Sequence, residues 1–170
     1  MADEEQFAIT NIMRQNNLPL SEAQVASLAE YESLLREWNG RINLISRRDQ
    51  ENIWTAHILH SLSILFHLEI PASVRVLDLG SGGGLPGIPL AIARPDLTVV
   101  LLDSMAKKMR AVSDIVARLK LGDIDMAKAV GIPLDIFMKR RFGAITEDED
   151  ACALDAQYPR AHLPRFLRGG

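Results

Sequence analysis

Val74-Arg-Val-Leu-Asp-Leu-Gly-Ser-Gly-Gly-Gly-Leu-Pro-Gly87 decides how this chain folds. Val74 to Leu79 reads as a short buried strand, and Gly80 to Gly84 as a glycine-rich turn. Pro86 and Pro89 suit the first turn of a helix, where a missing N–H costs little, and Pro95 ends that helix. Leu97-Thr-Val-Val-Leu-Leu-Asp103 is a second apolar strand, and it closes on a carboxylate about twenty residues beyond the turn. Strand, glycine turn, helix, strand and acid are how a parallel α/β sheet makes a crevice for an adenosine-containing ligand. Four glycines between positions 80 and 84 cost chain entropy that a plain turn would avoid. A turn without a ligand is therefore the weaker reading.

The glycine register separates two cofactor classes. Gly82-x-Gly84-x-x-Gly87 fits the dinucleotide pattern. Asp78-x-Gly80-x-Gly82-x-Gly84 fits the acid-x-glycine-x-glycine-x-glycine pattern of S-adenosylmethionine methyltransferases. Asp78 favours the second. A pyrophosphate at this turn would be repelled by a carboxylate two residues before the first glycine, whereas a sulfonium and an amino group suit it. Asp103 would hold ribose hydroxyls in either class.

A chain of 170 residues with 48% apolar and 24% charged residues is one domain, or one domain with a small appendage. The net charge of −3 argues against a generally basic nucleic-acid binder, so any RNA contact needs a restricted patch. Cys152 is the only cysteine. No intrachain disulfide can form, which fits a reducing compartment, and Cys152 is given no role. The acidic N-terminus carries no signal-like apolar run, and no stretch reaches the length of a membrane span. A cytoplasmic, monomeric protein is expected.

Upstream of the sheet the chain reads as helical. Ser21-Glu-Ala-Gln24 is a capping box, and Leu20 and Val25 flank it as a hydrophobic staple. Val25, Leu28, Tyr31, Leu35, Trp38 and Ile42 then make one apolar stripe, which Gly40 weakens or ends. Asn39 to Ser46 reads as a turn. A second helix is expected from about residue 51 to 66. After Asp103, Ser104 is the expected cap of a helix with Met105, Met109, Val112, Val116 and Leu119 buried, and Gly122 its stop. No clear third strand is legible at Ile124.

Trp38-Asn-Gly-Arg-Ile-Asn-Leu-Ile-Ser46, His57-Ile-Leu-His-Ser-Leu62, the glycine segment Val76 to Leu90, and Leu101-Leu-Asp-Ser104 with Lys107-Lys108 together resemble the bacterial 16S ribosomal RNA (guanine-N7) methyltransferase family, also called the glucose-inhibited division protein B family. The resemblance covers about residues 25 to 121. It implies a Rossmann-like methyltransferase fold, with a helical N-terminal cap over residues 1–72 and a cofactor-binding half over 73–121. It implies methyl transfer from S-adenosylmethionine to N7 of a guanine in small-subunit ribosomal RNA. By position, Gly80, Gly82, Gly84 and Leu85 match the family's cofactor loop, and Asp103 its strand-end acid. Position 60, often aspartate in relatives, is histidine here.

Residues 122–170 show none of the later strands that relatives carry, so this part of the sheet is expected to be atypical or truncated, with little methyl transfer by the chain as it stands. A non-catalytic remnant that binds cofactor or RNA is the first alternative, and a nicotinamide-dependent oxidoreductase the second. RNA phosphates would be met by Arg41, Arg47, Arg48, Lys107 and Lys108, with Lys139-Arg-Arg141 as a further basic cluster. His57 and His60 are three apart on one helix. A buried, hydrogen-bonded structural role is the reading for both, and two histidines without further ligands are a weak metal signal. No catalytic residue is assigned, because guanine N7 carries a lone pair and no proton.

Overall fold

The computed structural model describes residues 2–122 and 124–128, with side chains from residue 4 onward except at 125–128. Helix α1 (Ala2–Gln15) is followed by α2 (Glu22–Asn39). The capping box at the start of α2 is present in both directions: Gln24 N–H donates to Ser21 Oγ and Ser21 N–H to Gln24 Oε1. Leu28, Tyr31, Leu34 and Leu35 bury the inner face of α2. The helix ends as the glycine suggested, but a side chain makes the turn. Asn39 is buried, and its Oδ1 accepts the N–H groups of Leu44 and Ile45 at 2.7 and 2.9 Å, folding the chain back. Gly40 itself keeps right-handed helical backbone angles.

The expected continuous helix over 51–66 is broken into pieces. A 3-10 turn (Arg47–Glu51) leads to a π-helical turn (Trp54–Leu59), then to α3 (His60–Leu62) and α4 (Ile64–His67). Apolar spacing locates a helical segment but does not fix its hydrogen-bond register, and the wider π turn buries Trp54 and Ile58 together.

The sheet has three parallel strands in the order β1 (Arg75–Leu79), β2 (Thr98–Asp103), β3 (Ile124–Lys128). Val76 pairs with Val99 and Asp78 with Leu101 across β1 and β2. β3 corrects the sequence reading. Val99 to Asp103 pair in parallel with Ile124 to Lys128. Asp125 and Lys128 spoil the continuous apolar run by which a parallel strand is normally recognised. Helix α5 (Gly87–Ala93) is buried from Gly87 to Ile92. Helix α6 (Ala106–Arg118) buries Met109, Ala111, Val112, Ile115 and Val116. Two further corrections apply to α6. Its cap position is Met105, not Ser104, because Asp103 Oδ1 accepts the Met105 N–H at 2.7 Å. Its end is turned by Lys120, at φ 54°, two residues before Gly122.

The helical segment and the sheet share one core. Polar contacts join them as well. Gln24 Nε2 donates to the Ile92 and Ala93 carbonyls at the end of α5, and Trp38 Nε1 donates to Asp114 on α6. Arg118 bridges back to Glu37 at 3.0 Å.

Candidate functional site

The glycine turn lies where β1 hands over to α5. Gly80, Gly82 and Gly84 take φ values of 80°, 55° and 90°, the left-handed region that glycine enters without steric cost. A Cβ at Gly80 would meet nothing within 4 Å, so this residue faces open space. A Cβ at Gly87 would lie 2.2 Å from Leu101 Cδ2 and 2.8 Å from Asp78 Oδ2. One glycine thus faces open space, and the other lets α5 press against the sheet.

Every side of the turn is held. The N–H groups of Gly80 and Ser81 donate to the Leu102 carbonyl at 2.7 and 3.0 Å. Asp103 accepts Gly82 N–H on Oδ2 at 2.9 Å and Met105 N–H on Oδ1. Asp78 Oδ2 accepts Gly87 N–H at 2.9 Å. From the helical side, Tyr31 donates its buried hydroxyl to the Gly83 carbonyl at 2.9 Å. A Cβ at Gly83 would lie 2.8 Å from Leu35 Cδ1, so α2 also presses directly on the turn.

Both acids of the sequence reading are therefore at the turn, and both are buried. Each has a bracing role that the pattern alone did not reveal. Burial pushes the Asp78 carboxyl up to about 6; the Gly87 N–H works against the rise, and the neighbouring Asp103 adds to it. Tyr31 titrates well above the usual phenol range because it is buried, with Asp78 adding to the effect. Tyr31 was legible only as one position of an apolar stripe. Its hydroxyl crosses 52 positions of sequence to reach the turn, and no local pattern encodes such a contact.

The basic candidates separate. Arg41 is tied to Glu37 at 3.0 Å and lies over the Trp38 ring at 5.0 Å. Arg47 and Arg48 are exposed on the 3-10 turn. Lys107 and Lys108 occupy the first turn of α6, immediately after the strand-end acid. Lys139–Arg141 and Cys152 lie outside the described residues. The structural reading of the two histidines needs correction. His57 is half-buried and its Nε2 makes no hydrogen bond, although Asp49 Oδ2 is 3.4 Å away, whereas His60 is exposed. Among the described residues no group of three or more His, Cys, Asp or Glu is placed to hold a metal ion. No helix among them is long and apolar enough to cross a membrane.

Residues 24–147 match the model of the GidB family, described as rRNA small subunit methyltransferase G. The chain belongs to this family. The match continues past Leu121, where the resemblance in the sequence faded, and it takes in β3. Ribosomal RNA small subunit methyltransferase G of Chlorobium chlorochromatii is 45% identical over 116 residues, which are 68% of this chain and 50% of that protein. The enzyme of the same name from Bacteroides fragilis (strain ATCC 25285) is 42% identical over 149 residues, covering 88% and 67%. That from Burkholderia ambifaria is 40% identical over 141 residues, covering 77% and 62%. The chain thus spans about half to two thirds of the length of these curated relatives.

Proposed function

We propose that the glycine turn binds S-adenosylmethionine and that the chain serves methyl transfer to N7 of a guanine in small-subunit ribosomal RNA. The observation that carries this reading is the turn itself, open at Gly80 and clamped by Asp103, in a member of the rRNA small subunit methyltransferase G family. The residues suit the group. Gly80 leaves room for a ligand to approach the backbone. Asp103 spends one lone pair of each oxygen on the backbone, which leaves one apiece for ribose hydroxyls. Asp78 and Leu85 complete the loop on the methionine side. Bound S-adenosylmethionine supplies an electrophilic methyl group on a sulfonium.

Guanine N7 needs no base to become a nucleophile, so the protein's work is to position two reactants and exclude water. A rigid turn does the first. Backbone bonds to Leu102, the Asp103 and Asp78 carboxylates and the Tyr31 hydroxyl brace it. Lys107 and Lys108 support the RNA reading. Two cations in the first turn of a helix oppose its dipole, a cost of a few tenths of a kcal/mol each that a nearby phosphate would reverse. Arg47 and Arg48 extend the same footprint.

The test is transfer of labelled methyl from S-adenosylmethionine to small-subunit RNA prepared from cells lacking the modification, with nucleoside mass spectrometry of the product. Label in 7-methylguanosine, at low turnover, is the expected result. Label in another nucleoside, or none while S-adenosylmethionine binds, would overturn the acceptor assignment.

A further inference from the structure

A cavity of about 560 Å³ opens beside the glycine turn. One wall is the interrupted helical segment, with His57, His60, His67 and Leu68; the other is Leu85 and Pro86, the exit of the turn into α5. We propose that this cavity is the acceptor subsite, where the guanine to be methylated inserts; the assignment rests on the methyl-transfer reading above and names the place and residues that reading lacks.

Position makes the first argument. Leu85 and Pro86 belong both to the cavity wall and to the turn, so a ring seated here lies against the loop that would present the methyl donor. Size makes the second. The volume falls within the range of about 300–1,000 Å³ found for small-ligand sites, room for one base. The lining chemistry makes the third. Imidazoles and the apolar faces of Leu68, Leu85 and Pro86 suit a flat ring, and single-stranded RNA bases are commonly stacked on such groups. Among the described residues no carboxylate lines the cavity itself, which suits the acceptor edge of guanine, N7 and O6, and its phosphate.

The two serines of the cavity wall are turned back onto the helical backbone, which leaves the imidazoles as the polar groups of the wall. Ser61 Oγ donates to the His57 carbonyl and Ser63 Oγ to the His60 carbonyl, each at 2.7 Å. His57 Nε2 is buried without a hydrogen-bond partner, although Asp49 Oδ2 lies 3.4 Å away, so this ring keeps an unspent polar atom beside the cavity. Leu68 is 60% exposed, an apolar side chain in water at the cavity mouth, where a stacked base would cover it. The π turn beneath these residues is of a kind that recurs at functional sites.

The experiment is histidine imidazole NMR of the full 170-residue chain, with S-adenosylhomocysteine at saturation and guanosine 5′-monophosphate or uridine 5′-monophosphate titrated in. Signals are assigned with His60→Gln and His67→Gln, both at exposed positions. The inference requires saturable shifts of the His60 and His67 signals with the guanosine nucleotide, at least tenfold weaker response to the uridine nucleotide, and about tenfold loss of guanosine affinity in His60→Ala/Leu68→Ser. Equal shifts with both nucleotides, or none, would overturn it. S-adenosylhomocysteine affinity is read from the same sample by calorimetry. If the homocysteine analogue binds and the imidazoles stay still, the subsite fails while the donor loop stands. If the analogue does not bind, the methyl-transfer reading fails first.

Discussion

The glycine turn and the histidine-bearing segment lie side by side, yet sequence and structure are related differently in each. At the turn the residue types are dictated one by one. Left-handed backbone angles at 80, 82 and 84 admit glycine, the contact with Leu101 admits nothing larger at 87, and paired acids receive the N–H groups that the turn leaves free. In the segment from Arg47 to His67, residue types set burial, while helical pitch changes from 3-10 to π to α without a local cue. One region is specified by stereochemistry and the other by packing. The first is a fixed turn, the proposed donor site, and the second leaves exposed residues on the wall of the proposed acceptor subsite.

The sharpest way to break the comparison is Gly87→Ala. If α5 needs direct contact with β2, the added methyl should destabilise by about 3 kcal/mol, the upper part of the usual overpacking range, measured by urea unfolding. A loss below about 0.5 kcal/mol, the size of a typical surface effect, would show that the turn yields as the helical segment does.

Asp78 gives a pH test of the same rigidity. Its carboxyl titrates near 6 when folded and near the ordinary value of about 3.9 when unfolded. The folded state therefore holds the extra proton between these values. The stability that proton supplies is complete below about pH 4 and lost as the pH rises through 6, on the order of 3 kcal/mol. In Asp78→Asn, which keeps an acceptor for the Gly87 N–H, this part of the pH slope should vanish. Identical slopes would place the Asp78 carboxylate in water.

Tyr31→Phe removes only the hydroxyl that reaches Gly83. It should cost about 1 kcal/mol and weaken S-adenosylmethionine binding several-fold, because the Gly83 carbonyl is left without its partner. Unchanged affinity at reduced stability would make the contact a matter of folding alone.

The smallest effect on stability is expected at the exposed basic turn. Arg47→Glu with Arg48→Glu should shift unfolding by less than about 0.5 kcal/mol while flattening the salt dependence of RNA binding. The same slope in wild type and variant would remove both residues from the footprint.

These contrasts explain what was legible beforehand. The capping box at Ser21 and Gln24, both strands around the turn, and the placing of Asp78 and Asp103 followed from local rules: caps, period, glycine and strand-end acids. The third strand escaped because Asp125 and Lys128 interrupt its apolar run, and its place is set by pairing with Val99 to Asp103. Lys120 turns the end of α6 two residues before Gly122, and Asp103 accepts the N–H of the cap residue Met105 where Ser104 was the expected cap. Tyr31 escaped for a related reason. An aromatic at a helical spacing reads as core, and only the fold shows where its hydroxyl points.

The central claim is that the turn between Gly80 and Gly87, closed by Asp103, is a site for a methyl donor and not for a dinucleotide. Isothermal titration of the whole chain with S-adenosylmethionine, and separately with NAD, tests it most directly, with Gly80→Val as the partner variant: a Cβ there meets nothing within 4 Å, and because φ of 80° strains a β-branched residue, the variant's fold is checked by circular dichroism and urea unfolding. The account requires measurable S-adenosylmethionine binding, at least a tenfold loss in Gly80→Val, and no heat with NAD. Binding of NAD in preference to S-adenosylmethionine, or undiminished S-adenosylmethionine affinity in Gly80→Val, would contradict it.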